Sequence, residues 1–517
     1  MGYFDAPAPD WPRILALHGK WRGGRPAVSC GDESLTWDEF ARSLNRFANA
    51  LMARGVAPGD RVAILMTSGI PMTQALFGCM TAGCASVPLN LSVSDDALAR
   101  MIVDAGAKVI VATEDQARRI NAIRAHIDCE LFITTGTETD EWIDWEALHA
   151  GIDDASPDVR IAEDDILNII YSSGTTGLPK GIAHTFRGRL DWAYDLAIAL
   201  RYHGGAKTLL TIGLYSNISW VAMLCTLLAG GCLVIHRRFD ADAFLDAVEH
   251  EHITHTAMVP IQFQRVLERM RNRPVDVSSM QAMMSCGSPL HPSLKQEIFQ
   301  RFPCGIIELY GLTEGIITIM DPEDAAGRWT SVGRPLLGTD LRVIDIDDNE
   351  VLAGEPGEIV SRGRITMPGY LNRPDANAEA CWLDSDGNKW LRSGDIGRVD
   401  EEGFVYIVDR KKDMILSGGQ NVYPQDIEAA LLTHPDINDV AVIGVPSARW
   451  GETPLAVLVS EPDATLDEQE IVDWCNSRVG KQQRIAGAVI VDSLPRNPNG
   501  KILKRELREQ YAELNYS

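Results

Sequence analysis

The first half of the chain alternates helix-type and strand-type patterns with a regularity that only a few folds accommodate. Thr36-x-x-Glu39 is a capping box, and Phe40, Leu44, Phe47 and Leu51 follow at helical spacing until Gly55 stops the helix. VAILM (62–66) then reads as a buried strand, MTQALFGCMTAG as a second helix leading to ASVPLN, and VIVAT (109–113) as another buried strand. Parallel strands need long crossovers, usually helical, so this alternation predicts an α/β fold of parallel or mixed sheets covered by helices.

Further along, DDILNIIYSSGTTGLPKG (164–181) reads as a strand running into a Gly/Ser/Thr loop. LRVIDI, GEIVSRG and FVYIVDR are strand-like, with turn signals at Asp386-Gly387 and Glu402-Gly403 between them. The character changes after Arg410. Tyr423-Pro424 opens a helix with Ile427, Leu431 and Leu432 on one face, and DVAVIGV and TPLAVLVS read as strands. Thr465-x-x-Glu468 is expected to cap a further helix. Residues 1–410 are thus expected to form a large N-terminal domain and 411–517 a small, mobile α+β domain, with Arg410-Lys411-Lys412-Asp413 as the hinge.

The formal net charge of −24, from 48 basic and 72 acidic residues, argues against nucleic acid or an anionic membrane as partner. Ten cysteines without a CxxC pair give no zinc spacing, and buried, reduced thiols are expected. MGYFDAPAPDWP lacks the basic start and apolar run of a secretory signal. The most apolar stretch, VAMLCTLLAGGCLVI (221–235), is shorter than the roughly 20 residues of a membrane span and is broken by Gly230-Gly231. A buried helix running into a buried strand, no integral membrane segment and a cytoplasmic address are expected.

The loop YSSGTTGLPKG (171–181) carries the clearest chemistry. Its glycines allow backbone N–H groups to face an anion, Ser172, Ser173, Thr175 and Thr176 add hydroxyls, and Lys180 adds charge. Together they suit a triphosphate. It is not a Walker A loop, because Pro179 precedes the lysine.

At this loop the chain resembles the adenylate-forming superfamily of acyl- and aryl-CoA synthetases, peptide-synthetase adenylation domains and beetle luciferases. Five further motifs follow in the family's order: Tyr310-Gly311-Leu312-Thr313-Glu314, Gly394-Asp395, Asp409-Arg410-Lys411-Lys412-Asp413, Ser417-Gly418-Gly419-Gln420-Asn421-Val422-Tyr423-Pro424 and Pro495-x-x-x-x-Gly500-Lys501. The resemblance implies an acyl-CoA synthetase. It uses ATP, Mg2+ and coenzyme A, and makes an acyl-adenylate and then a thioester from a small-molecule carboxylic acid.

The resemblance also implies roles. Ser172, Ser173, Gly174, Thr176, Gly177 and Lys180 hold the phosphates; Tyr310 stacks on adenine, with Gly287, Ser288 and Pro289 opposite and Gly311 and Thr313 alongside. Glu314 and Thr175 hold Mg2+, which normally takes one or two carboxylates besides phosphates and waters. Asp395 binds the ribose diol, and Arg410 approaches ribose or phosphate. Lys501 stabilises the charge that develops on the α-phosphate, and rotation about Lys412 exchanges it for Gly418 and Gly419 along a pantetheine tunnel. Trp450 and Arg484 hold the nucleotide part of coenzyme A. A homodimer and a lysine acetyltransferase acting on Lys501 are further partners it suggests.

The acyl pocket implied by the resemblance is Ser216, Asn217, Ile218, Met258, Gly287, Ile316 and Ile317. It contains no cation for a second carboxylate, and GLYSNISW has no aspartate for a substrate ammonium. An apolar or aromatic monocarboxylic acid, fatty or phenylpropanoid, is therefore expected rather than an amino acid. Ser216 stands where the family often has a gating histidine. The alternatives are an enzyme that loads a carrier protein, a luciferase-like oxygenase and a binding protein that kept the fold.

Overall fold

The structure is a computed structural model that describes residues 10–137, 139, 141–172, 179–417, 420–462, 464, 466–496 and 501–514. The chain divides into two compact units. The first comprises Met1–Trp329, Pro335–Asp340 and Arg362–Cys381; the second Thr330–Arg334, Leu341–Ser361 and Trp382–Ser517.

Two sheets organise the first unit. In one, Cys232–Ile235, Lys207–Leu210, His255–Met258, Ala282–Ser285 and Ile307–Leu312 run parallel in that spatial order. Ile316–Met320 continues it antiparallel to Ile307–Leu312. Among the described residues the other sheet has seven strands, from Ile143–Asp144 through Leu131–Thr134, Val109–Ala112, Arg61–Leu65, Ala85–Pro88 and Ile166–Ser172 to Lys180–Thr185. Only the last pairing is antiparallel.

Helices fill the space between crossovers, as the alternation requires. Trp37–Met52 begins at the expected box: Thr36 N donates to Glu39 Oε2 at 2.8 Å and Glu39 N to Thr36 Oγ1 at 3.3 Å. Its Phe40, Leu44, Phe47 and Leu51 are buried. The helix Asn217–Ala229 is apolar all round and lies in the same core, where Trp220 meets Phe77 at 6.0 Å between ring centroids. Truncating an aromatic of this kind to alanine costs about 3–5 kcal/mol. Gly230, at φ +75°, ends the helix before Cys232–Ile235, so residues 221–235 are the expected buried helix and strand. Among the described residues no helix is long and apolar enough to cross a membrane.

In the second unit, the strand Gly357–Gly363 as far as Ser361, with Lys389–Val399 and Val405–Arg410, forms an antiparallel set. A further sheet joins Ile415–Ser417, Gln420–Val422, Ile437–Ser447, Gly451–Ser460 and Gly487–Ile490, flanked by the helices Pro424–Leu431, Glu468–Asn476 and Lys504–Gln510. Ile427 and Leu431 are buried on the face expected of them.

Two expectations need correction. The helix Glu468–Asn476 is capped by Asp467, whose carboxylate accepts from Glu470 N at 2.9 Å, and not by Thr465, which lies outside the described residues. An aspartate immediately before the first helical residue reaches that amide directly, which makes the capping-box spacing coincidental. The ten cysteines are all free thiols, but only five are buried; Cys30, Cys129, Cys232, Cys304 and Cys381 are half-buried.

Candidate active site

In open sheets with parallel strands, ligands bind beyond the carboxyl ends of the strands. The segments that leave that edge of the first sheet carry most of the residues expected around adenine and acyl group. Cys286 N donates to Met258 O at 3.2 Å, joining two adjacent strand ends. Gly287 follows at φ +93°, and a Cβ there would lie 3.0 Å from Ile218 Cδ1 and 3.3 Å from Val259 Cγ1. Glycine is therefore needed for both conformation and space. On the neighbouring hairpin, Tyr310 pairs with Thr318, Gly311 with Ile317, and Leu312 with Ile316. Tyr310, Thr313 and Ser288 are half-buried and Gly311 and Pro289 exposed, whereas Met258, Ile316 and Ile317 are buried.

Ser216 is buried and caps the helix Asn217–Ala229, its hydroxyl accepting from Ile218 N at 3.3 Å. The serine that replaces the expected histidine thus has a structural partner. Behind the acyl set, and buried away from it, the Arg189 guanidinium donates to Asn217 Oδ1 at 2.8 Å. It lies 28 residues away in sequence, so nothing in the pocket segments announced it.

The phosphate loop closes an antiparallel pair. Ser172 and Lys180 are register partners, so the loop is a hairpin connection rather than the strand-to-helix turn of a Walker motif. Ser173, Gly174, Thr175, Thr176 and Gly177 lie outside the described residues, as does the Ser172 side chain. Glu314 is half-buried in the turn after Ile307–Leu312. A Cβ on the next residue, Gly315 (φ +110°), would lie 2.4 Å from Ile365 O, and Met367 N donates to Glu314 O at 2.8 Å. The turn is thereby pressed against residues 365–367.

Tyr370, which sequence reasoning missed, joins the two motifs. Its hydroxyl donates to Glu314 Oε1 at 2.9 Å, and Lys180 Nζ lies 4.7 Å from its ring centroid. Its backbone bridges to Ile182 and is clamped by Asn377, which accepts from Tyr370 N at 2.7 Å and donates to Tyr370 O at 3.1 Å. Burial and the neighbouring Glu314 carboxylate raise the phenol pKa, so it stays a donor. The sequence signal was faint, a Pro368-Gly369-Tyr370 turn at the foot of a helix beginning at Pro374.

The second unit gathers a charged cluster. Asp395 and Arg410 are register partners on adjacent strands, and Arg410 Nε lies 2.8 Å from Asp395 Oδ1. Asp395 is 2% exposed. Residues 497–500 lie outside the described residues; on either side of them Arg496 bridges to Ile502 and Leu503 N donates to Pro495 O at 2.8 Å, next to Lys501. Burial first, and then Arg410, push the Lys501 amine down to about 8, with Asp395 opposing. Burial likewise lowers Lys412. The structure therefore brings Lys501, Asp395, Arg410 and Lys412 together. Nearby, Lys504 Nζ meets Glu428 Oε1 at 2.7 Å and Arg508 pairs with Asp413.

Gly418 and Gly419 lie outside the described residues, but the strand that precedes them ends at Ser417, the register partner of Gly451. Trp450 stands beside that point at 46% exposure, with the Arg449 guanidinium 4.7 Å from its ring centroid. Arg484 is exposed after the short turn Lys481–Gln483.

Fold and site together define an enzyme that activates an acid through a nucleotide. Residues 17–371 match the AMP-binding enzyme family, and residues 426–501 match the AMP-binding enzyme C-terminal domain. A feruloyl-CoA synthase of Amycolatopsis is 35% identical over 491 residues, 94% of this chain and 96% of that protein. A long-chain-fatty-acid–CoA ligase of Mycobacterium tuberculosis is 34% identical over 490 residues, 93% and 94% of the two chains. The ATP-bound crystal structure of MatB from Rhodopseudomonas palustris superposes with a TM-score of 0.89 at 28% identity, over 97% of this chain and 99% of that one. The chain belongs to the AMP-binding enzyme family, as an acid–thiol ligase of the AMP-forming kind.

Proposed function

We propose that the chain is an ATP-dependent carboxylate–CoA ligase. A carboxylate oxygen attacks the α-phosphorus of ATP and pyrophosphate leaves; the coenzyme A thiolate then attacks the acyl carbon of the acyl-adenylate and AMP leaves. The observation that carries this reading is the buried amine of Lys501 held with Asp395 and Arg410. A lysine with a pKa near 8 is still mostly cationic at pH 7 and costs little to bring against developing phosphate charge.

In this reading the 171–181 loop, including Thr175, and Lys180 grip the phosphates, and Tyr310 with Gly287, Ser288 and Pro289 holds adenine. Asp395 takes the ribose diol once Arg410 yields to it. Glu314 offers one carboxylate, oriented by Tyr370, and this fits Mg2+ that takes its other ligands from phosphates and water. The metal would neutralise phosphate charge; the chain's own part is to fix the carboxylate that receives it. Residues 411–517 turn about Lys412, withdrawing Lys501 and bringing Gly418, Gly419, Trp450 and Arg484 to coenzyme A. The acid is an apolar or aromatic monocarboxylate. A cytoplasmic homodimer whose Lys501 accepts an acetyl group from a lysine acetyltransferase completes the proposal.

The test is pyrophosphate release over benzoates, cinnamates and linear acids, with coenzyme A and a holo-carrier protein compared as acceptors. AMP and a coenzyme A thioester from at least one acid are expected. Failure to form AMP from ATP with every acid would overturn the reading, and thioester on the carrier alone would favour the loading enzyme.

A further inference from the structure

Behind the acyl segment lies a polar cluster that the proposed mechanism leaves unused. Arg189, on the helix Phe186–Ala199, is 1% exposed. Its Nε donates to Asn168 Oδ1 at 3.1 Å and its Nη2 to Asn217 Oδ1 at 2.8 Å. The guanidinium lies 4.5 Å and 5.6 Å from the ring centroids of Trp192 and Trp220. No described carboxylate pairs with it, and burial alone pushes it down to about 9. An unpaired buried cation is expensive to keep unless it orders something.

What it orders are two amides. A guanidinium only donates, so each asparagine bonded to it must turn its oxygen inward and its NH2 outward. For Asn168 the NH2 is then buried without a partner among the described residues, as are His184 Nε2 and Trp220 Nε1. Asn217 differs. It is partly exposed, it is the first residue of its helix, and it stands between the cap Ser216 and Ile218, whose Cδ1 faces Gly287. Its oxygen is taken by Arg189, and no described residue accepts from its NH2. A donor whose oxygen end is fixed by Arg189 therefore stands half-exposed beside the acyl segment.

We propose that Asn217 is a specificity-determining donor in the acyl pocket, held NH2-outward by Arg189, and that the acid which fits best carries an oxygen acceptor in the body of its acyl group. The inference rests on the ligase reading and narrows its substrate class. A site with a fixed polar group discriminates against the analogue that leaves that group unpaired, far more than an apolar pocket discriminates by size.

The experiment measures kcat/KM for pyrophosphate release with 3-phenylpropanoate and its ring-hydroxy and ring-methoxy analogues, which share chain length. At least one oxygenated acid should exceed the plain one by about tenfold, and the methoxy analogue, an acceptor only, should keep the preference. Asn217→Leu should bring the ratio below about threefold. Arg189→Met should lower it in the same direction and Arg189→Lys, still donor-only, should retain more of it. The double variant Asn217→Leu/Arg189→Met should lose no more than Asn217→Leu alone, because the two act as one unit. Asn217 is partly exposed, so its variant tests the idea even if Arg189→Met misfolds; circular dichroism checks both. A wild-type ratio below threefold for every pair, an unchanged ratio in Asn217→Leu, or additive losses would overturn the proposal. Absence of pyrophosphate release with any acid would remove the ligase reading and this one with it.

Discussion

Lys501 sits where a small change in protonation changes the chemistry. Its amine titrates near pH 8, and in the proposed mechanism the form that stabilises phosphate charge is the cation, present below that pH. The adenylation kcat/KM, which reports the free enzyme, is therefore expected to be level up to about pH 8 and to fall about tenfold per unit above it. Lys501→Arg should move this alkaline limb out of range. Lys501→Ala should slow pyrophosphate release by about 10²–10³-fold while sparing thioester formation from supplied acyl-AMP. A limb unmoved in Lys501→Arg, or equal loss of both half-reactions in Lys501→Ala, would deny the residue this role. At this scale the resemblance, rather than any spacing, pointed to Asp395 and Lys501, which the fold sets in one charged cluster. The sequence was silent on Arg189, whose meaning depends on two asparagines from other elements.

At the scale of elements, the turn holding Glu314 depends on the residue after it. Gly315→Ala would force a Cβ to within 2.4 Å of Ile365 O at a backbone angle that alanine resists. The expected cost is about 1–3 kcal/mol of stability, read as a lower thermal midpoint, with a raised KM for ATP. Tyr370→Phe keeps the ring beside Lys180 and removes only the hydrogen bond to Glu314, so the Mg2+ concentration for half-maximal rate should rise several-fold at an unchanged thermal midpoint. Thr36 and Glu39 could be read as a cap because both partners lie within one turn. The link from Lys180 through Tyr370 to Glu314 could not, because it is made by folding across 190 residues; nor could local spacing choose Asp467 over Thr465.

Across the whole molecule, alternation announced the helix-covered sheets because helical crossovers leave a periodic signature in sequence. The change of character after Arg410 is equally visible, but packing groups residues 341–361 and 382–410 with the C-terminal segment, through contacts that composition does not record, such as Lys411 Nζ to Glu358 Oε2 at 2.9 Å and Gln425 N to Asp409 Oδ2 at 3.1 Å. The hinge is a claim about motion, and Lys412→Pro tests it. A stiffened backbone at that position should leave adenylation within a few-fold of normal and depress thioester formation by at least tenfold. An amine titrating near 8 is neutral about a tenth of the time at pH 7, against about one part in 2,500 for an ordinary lysine. A neutral amine is a nucleophile, and an acyl-adenylate is an anhydride that amines open to amides with loss of AMP. In the proposed mechanism the lysine that helps build the activated acid is thus also the group best suited to steal it. Turning that lysine away would shield the enzyme from its own product, and the stiffened variant should gain acyl mass at Lys501 during turnover, visible by intact-protein mass spectrometry.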